Sequence, residues 1–146
     1  MFGGLHKISK FAIIAGCSNF GANLAGLLSN CNWDVVVIDK DANAFLKLPD
    51  SFCGLTVEGD ACDTKVLENA YIKKASICVG ATESDTVNSL ISQIAAKTYN
   101  TKDVFARIND SELCKSISKN NIHIICPENL CVLEFEKQSA LVSLAQ

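Results

Sequence analysis

The sequence has little basic charge and no long apolar run. Its 146 residues include one arginine, Arg107, against twelve lysines, and 16 acidic side chains outnumber the 13 basic ones. A general nucleic-acid binder normally carries a basic excess that neutralises phosphates, so the balance argues against that class. No apolar run approaches the roughly 18 residues of a membrane span, and residues 1–10 lack the apolar core of a signal peptide. A soluble, cytoplasmic protein is expected.

Cysteine motifs are also absent, although the chain contains eight cysteines. No pair has C-x-x-C spacing and no pair of histidines accompanies them, so no structural metal is expected. Disulfide scaffolds are typical of small secreted chains with weak cores, whereas 49% of these residues are apolar. Most of the cysteines are therefore expected to be reduced and buried as small apolar side chains. They are Cys17, Cys31, Cys53, Cys62, Cys78, Cys114, Cys126 and Cys131.

Short apolar runs alternate with helical patterns along the chain. Continuous valine and isoleucine runs are typical of a parallel sheet that is covered on both faces. The predicted strands are 11–15, 34–38, 55–58, 76–79, 103–108 and 123–125. The predicted helices are 21–29, 63–70, 84–98, 111–119 and a last one from Pro127 towards Leu144. The first helix is expected to bury a stripe of Leu24, Leu27 and Leu28.

This order of elements predicts a single α/β domain. Parallel neighbours need crossover connections, which the helices supply. We therefore expect a Rossmann-like, doubly wound, six-stranded parallel sheet with the strand order 3-2-1-4-5-6. The predicted boundaries are an N-terminal arm over 1–10, the α/β domain over 11–130 and a C-terminal helix over 131–146.

A glycine loop follows the first predicted strand. The residues run Gly16, Cys17, Ser18, Asn19, Phe20 and Gly21, a dinucleotide-binding fingerprint whose middle glycine is replaced by serine. Gly16 permits the tight turn and Gly21 lets the helix pack close to the strand. The N-terminus of the helix then offers free N–H groups to a phosphate. Ser18 takes room at this position, although its hydroxyl could donate to a phosphate oxygen; a turn without a ligand is the alternative.

An acidic residue ends the second predicted strand. Asp39 lies 23 residues after Gly16, close to the spacing of about 20 at which a carboxylate accepts ribose hydroxyls. It would also repel a 2′-phosphate, which disfavours NADP as the ligand, although the positive charge of the neighbouring Lys40 weakens this argument against NADP. The loop and Asp39 together predict a site for an adenosine-containing ligand.

Four further motifs accompany the loop and the VVVIDKD segment (35–41). They are GDA (59–61), ATESDTVN (81–88), ARIN (106–109) and CPE (126–128). With these six motifs in order, residues 10–130 resemble the TrkA N-terminal family, also called KTN or RCK, of potassium-transport regulators. The resemblance implies a protein that is not an enzyme and that binds an adenine nucleotide or NAD(H).

The resemblance also implies how such a ligand lies. The phosphates would be held by Cys17, Ser18, Asn19 and Phe20. Asp39 would hold the ribose, with Lys40 near the adenosine. The adenine would be flanked by Asp60, Ala61 and Cys62. Ala81 and Thr82 would close the cleft, whereas Arg107 and Glu128 match positions near the far strands, with a less certain part in binding.

Family members regulate potassium uptake systems or channels, and nucleotide exchange changes their shape and gates transport. The implied partners are a membrane potassium transporter or channel subunit at the inner face of the membrane, a second copy in a homodimer or larger ring, and a companion regulatory protein. Relatives commonly append a C-terminal ligand-binding domain that is missing here. The chain is thus expected to be a stand-alone subunit or part of a longer one.

Two features refine these expectations. Asn19 stands where relatives commonly have an arginine that reaches terminal phosphates, which favours AMP, ADP or NAD over ATP. Arg107 is expected to form a structural ion pair with Asp60 or Asp85. Two other functions stay open: an NAD-dependent oxidoreductase, for which no general acid is found, and an assembly subunit without a ligand, suggested by Ser18.

Overall fold

The computed structural model describes residues 10–117 and 121–139. Six parallel strands form one sheet in the order β3-β2-β1-β4-β5-β6, which confirms the predicted fold. The strands are β1 (Phe11–Ala15), β2 (Asp34–Asp39), β3 (Leu55–Glu58), β4 (Ile77–Gly80), β5 (Asp103–Arg107) and β6 (Ile122–Ile125). The helices are α1 (Asn19–Asn30), α2 (Thr64–Asn69), α3 (Asp85–Gln93), α4 (Ser111–Ile117) and α5 (Pro127–Ser139).

The central strand β1 sends alternate side chains into two separate cores. Ile13 belongs to a cluster with Val36 of β2 on one face of the sheet, and Ile14 belongs to a cluster with Val37 on the other. The middle residues of β1 and β2 therefore need to be apolar at successive positions, because successive side chains point to opposite faces. This explains why FAIIA and DVVVI lack the alternation of a half-exposed strand.

Most element boundaries agree with the sequence prediction to within one or two residues. Two short segments were not predicted, namely 3₁₀ helices over Ala42–Lys47 and Ile72–Lys74. The end of the helix predicted over 84–98 is a π-helical turn over Ile94–Thr98. The predicted arm over 1–9, the end of the fourth helix at 118–120 and the last helix beyond 139 lie outside the described residues. In the part of the chain that the structure describes, no helix is long and apolar enough to cross a membrane.

The predicted leucine stripe of α1 is only partly correct, because Leu24 and Leu28 pack against the core but are only partly buried. The buried residues of α1 are Gly21, Ala22, Ala25 and Gly26, whereas Leu27 is 59% exposed. The helix follows β1 after a three-residue loop and lies close to the sheet, so only small side chains fit beneath it. Helical periodicity identified the helix, but the side chains with the smallest volume define its inner face.

The expectation that most cysteines are buried is also only partly correct. Cys17, Cys78 and Cys126 are buried, and all eight cysteines are free thiols. The exposed cysteines are Cys31, Cys53 and Cys131.

The thiols should therefore differ in reactivity. Burial raises the pKa of the Cys78 thiol to about 12, and alkylation requires the thiolate. We expect iodoacetamide at neutral pH to label Cys31, Cys53 and Cys131 in the native protein, and Cys78 only after unfolding in urea. Peptide mass spectrometry measures both. Early labelling of Cys78 in native protein would show that its strand opens locally.

Candidate functional site

The main cleft lies where β1, β2, β3 and β4 end. In the doubly wound fold this is the edge at which ligands bind, beside the switch point between β1 and β4. Its volume is about 370 Å³, within the range of about 300–1,000 Å³ that is usual for ligand pockets. The lining residues are Gly16, Cys17, Ser18, Ile38, Asp39, Lys40, Asp41, Ala44, Lys47, Gly59, Asp60, Ala61, Thr82, Glu83, Ser84, Val87 and Ile91.

Two glycines are required by the loop between β1 and α1. Gly16 has a φ of +115°, and a Cβ built there would lie 2.5 Å from the amide nitrogen of Thr82. A Cβ built on Gly21 would overlap the carbonyl oxygen of Gly16. The loop thus packs directly against the chain that follows β4, and no side chain fits at either position.

Ser18 acts as the N-cap of α1. Its Oγ accepts a hydrogen bond from the Gly21 amide at 3.1 Å and donates to the carbonyl oxygen of Ala81 at 2.6 Å. A hydroxyl has one hydrogen to donate, and here Ala81 receives it. In this structure the Ser18 side chain therefore joins the loop to β4, and its donation to a phosphate stays a prediction.

Backbone groups at the start of α1 are the part of this loop that could receive an anion. The first N–H groups of an α-helix have no acceptor within the helix, and those of Asn19 and Phe20 fall at the start of α1. The positive end of the helix dipole lies at the same place. An anion bound at this terminus would interact with main-chain N–H groups rather than with the Ser18 hydroxyl.

Asp39 holds the loop from the neighbouring strand. Its Oδ2 accepts a hydrogen bond from the Cys17 amide at 2.8 Å, and its Oδ1 accepts one from the Asp41 amide at 2.9 Å. A carboxylate has about four lone-pair sites, so both oxygens retain capacity for ribose hydroxyls. Asp39 therefore has a structural role that the sequence did not reveal, and its ligand role stays a prediction.

The third strand places an exposed charge pair at the other side of the cleft. Lys40 Nζ lies 3.4 Å from Asp60 Oδ2. The Cys62 amide, which donates to Asp60 Oδ1 at 2.9 Å, is the main cause that lowers the pKa of Asp60, and Lys40 adds to it. Asp60 is consequently an anion at neutral pH and is paired with Lys40, while the next residue, Ala61, is buried in the core.

The wall after β4 is held by a buried amide that was not predicted as a site residue. Asn88 of α3 is fully buried. Its Oδ1 accepts hydrogen bonds from the amide and the hydroxyl of Thr82 at 2.8 and 2.6 Å. Its Nδ2 donates to the carbonyl oxygens of Thr82 and Arg107 at 3.0 and 2.9 Å. Every hydrogen-bonding position of this amide is used, and the Thr82 backbone is fixed relative to β5.

Arg107 forms an ion pair, but not with either predicted partner. Its Nη2 lies 3.1 Å from Glu83 Oε2 and 3.1 Å from the carbonyl oxygen of Thr82. Asp85 instead accepts hydrogen bonds from the amides of Asn109 and Asp110. The prediction failed because the loop after β4 turns Glu83 towards β5, which residue spacing does not indicate.

The cleft brings together most, but not all, of the predicted site residues. Those that line it are Gly16, Cys17, Ser18, Asp39, Lys40, Asp60, Ala61 and Thr82. Those that stand outside the lining are Asn19, Phe20, Gly21, Cys62, Ala81 and Arg107. Lys47 and Ala44 were missed because no element was predicted over the 3₁₀ helix that carries them. The 81–88 motif also contains residues that were not predicted, namely Glu83, Ser84, Val87 and Asn88. The motif alone does not indicate which of its residues line the cleft and which are buried.

Comparison with known proteins identifies the family and the fold. A family model described as the TrkA-N domain matches residues 12–127. The chain is 32% identical over 132 residues to a Trk system potassium uptake protein TrkA homolog from Methanothermobacter thermautotrophicus, covering 87% of this chain and 59% of the relative. The chain thus spans less than two thirds of the length of that relative.

Solved structures share the fold at low identity. The TrkA-N domain of the inner membrane protein ybaL from Escherichia coli has a TM-score of 0.79 and 16% identity, covering 90% of this chain and 98% of that one. The Kef CTD of Shewanella denitrificans in its AMP-bound form has a TM-score of 0.68 and 23% identity, covering 90% and 80%. The GsuK channel bound to NAD has a TM-score of 0.66 and 16% identity, covering 85% and 22%.

Proposed function

This chain belongs to the TrkA-N domain family, and we propose that it is a regulatory nucleotide sensor of potassium transport. It binds an adenine nucleotide or NAD(H) in the cleft and performs no catalysis itself. The observation that carries the proposal is the joined geometry of the loop and Asp39. A hydrogen bond from the Cys17 amide to Asp39 Oδ2 joins the loop before α1 to a carboxylate that still has free lone pairs. Both residues line a cleft of ligand size.

The residues present suit such a ligand. Phosphates lie at the N-terminus of α1, where main-chain N–H groups and the helix dipole receive them. Asp39 accepts the ribose hydroxyls. The adenine lies between the Asp60–Ala61 backbone and Thr82, next to the apolar side chains of Val87 and Ile91. Three residues outside the lining hold it in place through hydrogen bonds. Cys62 bonds to Asp60, Ala81 to Ser18 and Arg107 to Thr82.

Charge favours ligands with few phosphates. Four carboxylates line the cleft (Asp39, Asp41, Asp60 and Glu83), against two ammonium groups, Lys40 and Lys47. Asn19 adds no charge beside the loop. Each additional phosphate charge is repelled by these carboxylates. We therefore expect AMP, ADP or NAD to bind more tightly than ATP. The AMP-bound Kef domain and the NAD-bound GsuK channel share this fold, which supports both ligand classes.

The hydrogen bonds of the cleft wall offer a route by which ligand binding could change the rest of the domain and so regulate transport. Thr82 faces the cleft and is hydrogen-bonded through Asn88 to Arg107 at the end of β5. A ligand that moves the Thr82 loop therefore moves the far strands as well. The proposed partner is a membrane potassium transporter or channel at the cytoplasmic face. The name of the relative, a Trk system potassium uptake protein TrkA homolog, supports the link to potassium uptake.

Association with a second copy and with further subunits is supported by α5. The structure describes no buried residue in α5. Large apolar side chains on it are exposed, namely Leu130, Val132, Leu133 and Phe135. Such a surface is typical of an interaction site, and a homodimer or larger ring would cover it.

Titration calorimetry tests the sensor proposal. We expect the folded protein to bind at least one of AMP, ADP, ATP, NAD and NADH, with AMP, ADP or NAD tighter than ATP. Mass spectrometry of small molecules released from purified protein provides an independent readout. Absence of binding in folded protein would leave the assembly subunit without a ligand as the better function. Cofactor-dependent turnover of a substrate would favour the oxidoreductase.

Asp39→Asn should weaken binding and leave the loop in place. The asparagine keeps one oxygen that can accept the Cys17 amide hydrogen bond and gives up the exposed bond from the Asp41 amide. It also removes the charge that strengthens bonds from the ribose hydroxyls. We expect affinity for AMP and NAD to fall by about 1–3 kcal/mol, the scale of a charge-assisted hydrogen bond. Asp34→Asn is the matched control, since Asp34 is exposed at the other end of the same strand. Equal affinities of the two variants would show that Asp39 does not hold the ribose.

A further inference from the structure

A lysine outside the sequence motifs reaches the glycine loop from the segment that follows β2. Lys47 ends the 3₁₀ helix over Ala42–Lys47, and its Nζ lies 3.4 Å from the carbonyl oxygen of Cys17. Its side chain lines the cleft and is exposed. It therefore stands beside the loop at which an anion would bind, although it lies outside the fingerprint.

The 3₁₀ helix is held at two points, one on that loop and one on Asp39 at the end of β2. The Cys17 thiol donates to the carbonyl oxygen of Ala44 at 3.2 Å. The Asp41 amide, just before the helix, donates to Asp39 Oδ1, and the Asp41 side chain caps the helix by accepting from Asn43 N at 2.9 Å. The backbone of Lys47 is thus held at a defined place relative to Cys17, while its long side chain keeps the freedom to meet a ligand.

Lys47 is also the available cation of the cleft. Lys40 is paired with Asp60, and Arg107 behind the wall is paired with Glu83. Among the described residues that line the cleft, Lys47 is the cation without a carboxylate within ion-pair distance. Its charge acts on the loop, because it lowers the pKa of Cys17 against the larger opposite effects of burial and of Asp39.

We propose that Lys47 binds the phosphate closest to the ribose of the nucleotide and supplies the positive charge that Asn19 does not. This assignment rests on the proposed function and names one of its contacts. An ammonium group makes short charge-assisted hydrogen bonds to phosphate oxygens. With one free cation in an acidic cleft, one phosphate group is compensated, and the cleft selects a nucleoside carrying a single phosphate at this position over the free nucleoside.

Two ligands that differ only in the phosphate separate this role from a structural one. Calorimetry compares AMP with adenosine on the wild-type protein, on Lys47→Met and on Lys102→Met. Lys102 is exposed in the turn before β5, at the opposite end of the strands, so its substitution makes the same charge change away from the cleft. Thermal unfolding of each variant confirms that the fold is retained.

We expect Lys47→Met to raise the dissociation constant for AMP about tenfold, which corresponds to about 1.4 kcal/mol, and to leave adenosine binding unchanged. Lys47→Arg should retain most of the AMP affinity, and Lys102→Met should bind as the wild type does. An unchanged AMP affinity of Lys47→Met, or an equal loss for AMP and adenosine, overturns the assignment and leaves the proposed function intact. A wild-type protein that binds no nucleotide overturns both.

Discussion

Gly21→Ala is expected to destabilise the protein by about 3 kcal/mol, at the upper end of the usual cost of overpacking. The added Cβ would overlap the carbonyl oxygen of Gly16. That carbonyl cannot move freely, because the Gly16 amide donates to Ile38 at 2.8 Å and the next amide, of Cys17, is held by Asp39. Relief of the overlap must therefore separate α1 from the loop, which also disrupts the proposed phosphate site.

Gly26→Ala on the same helix is the matched control. Both substitutions place alanine in a helix, which favours the variant by about 1 kcal/mol through helix propensity. A Cβ on Gly26 would lie 2.9 Å from Cγ of Pro49, a side-chain atom in a connecting segment that can shift. We expect Gly26→Ala to change the free energy of unfolding by less than about 1 kcal/mol, the size of the propensity term.

Urea unfolding followed by circular dichroism measures both free energies. The comparison isolates the effect of space, since residue type, helix and backbone conformation are shared. Similar stabilities of the two variants would mean that α1 lies further from the loop than this structure places it. AMP titration of Gly21→Ala, under conditions where it is folded, should show weakened binding as well.

Asn88→Ala is expected to cost about 3 kcal/mol of stability. It leaves the Thr82 amide and the Arg107 carbonyl without their hydrogen-bond partner, and each buried group left unsatisfied costs about 1–3 kcal/mol. The loss is local to the cleft wall, because Asn88 holds no other loop. We therefore expect nucleotide affinity to fall together with stability.

Ser92→Ala is the control for this substitution. Ser92 is fully buried on the same helix, one turn further on, but its hydroxyl makes a local bond to the carbonyl oxygen of Ser89 at 2.8 Å. Its removal should cost about 1 kcal/mol, the usual net worth of one hydrogen bond, with no effect on ligand affinity. If Asn88→Ala is no less stable than Ser92→Ala, the network does not fix the wall.

The glycine loop illustrates which parts of the site could be predicted from the sequence. The positions of Gly16 and Gly21 followed from the fingerprint, and the structure explains both by the space that a Cβ would need. The serine between them was harder to interpret. Its hydroxyl was available to a ligand or to the protein, and only the placement of Ala81 beside it decides for the protein.

Contacts between segments that are distant in the chain were the least predictable. Arg107 was expected to pair with Asp60 or Asp85, and it pairs with Glu83 instead. Asn88 looked like a polar residue within a motif, yet it is fully buried with all its hydrogen-bonding positions used. Such partners depend on how a loop turns after its strand, which neither periodicity nor spacing specifies.

The sequence alone determined the strand order, the two glycines and the family, since all three rest on local patterns. Runs of apolar residues separated by helices permit few arrangements of a parallel sheet, and an ordered set of short motifs identifies the fold that carries them. The tertiary structure decided what those motifs do: Asp39 anchors the loop, small residues form the inner face of α1, and Lys47 reaches the cleft. These are long-range contacts, and their geometry is fixed only when the helices pack on the sheet.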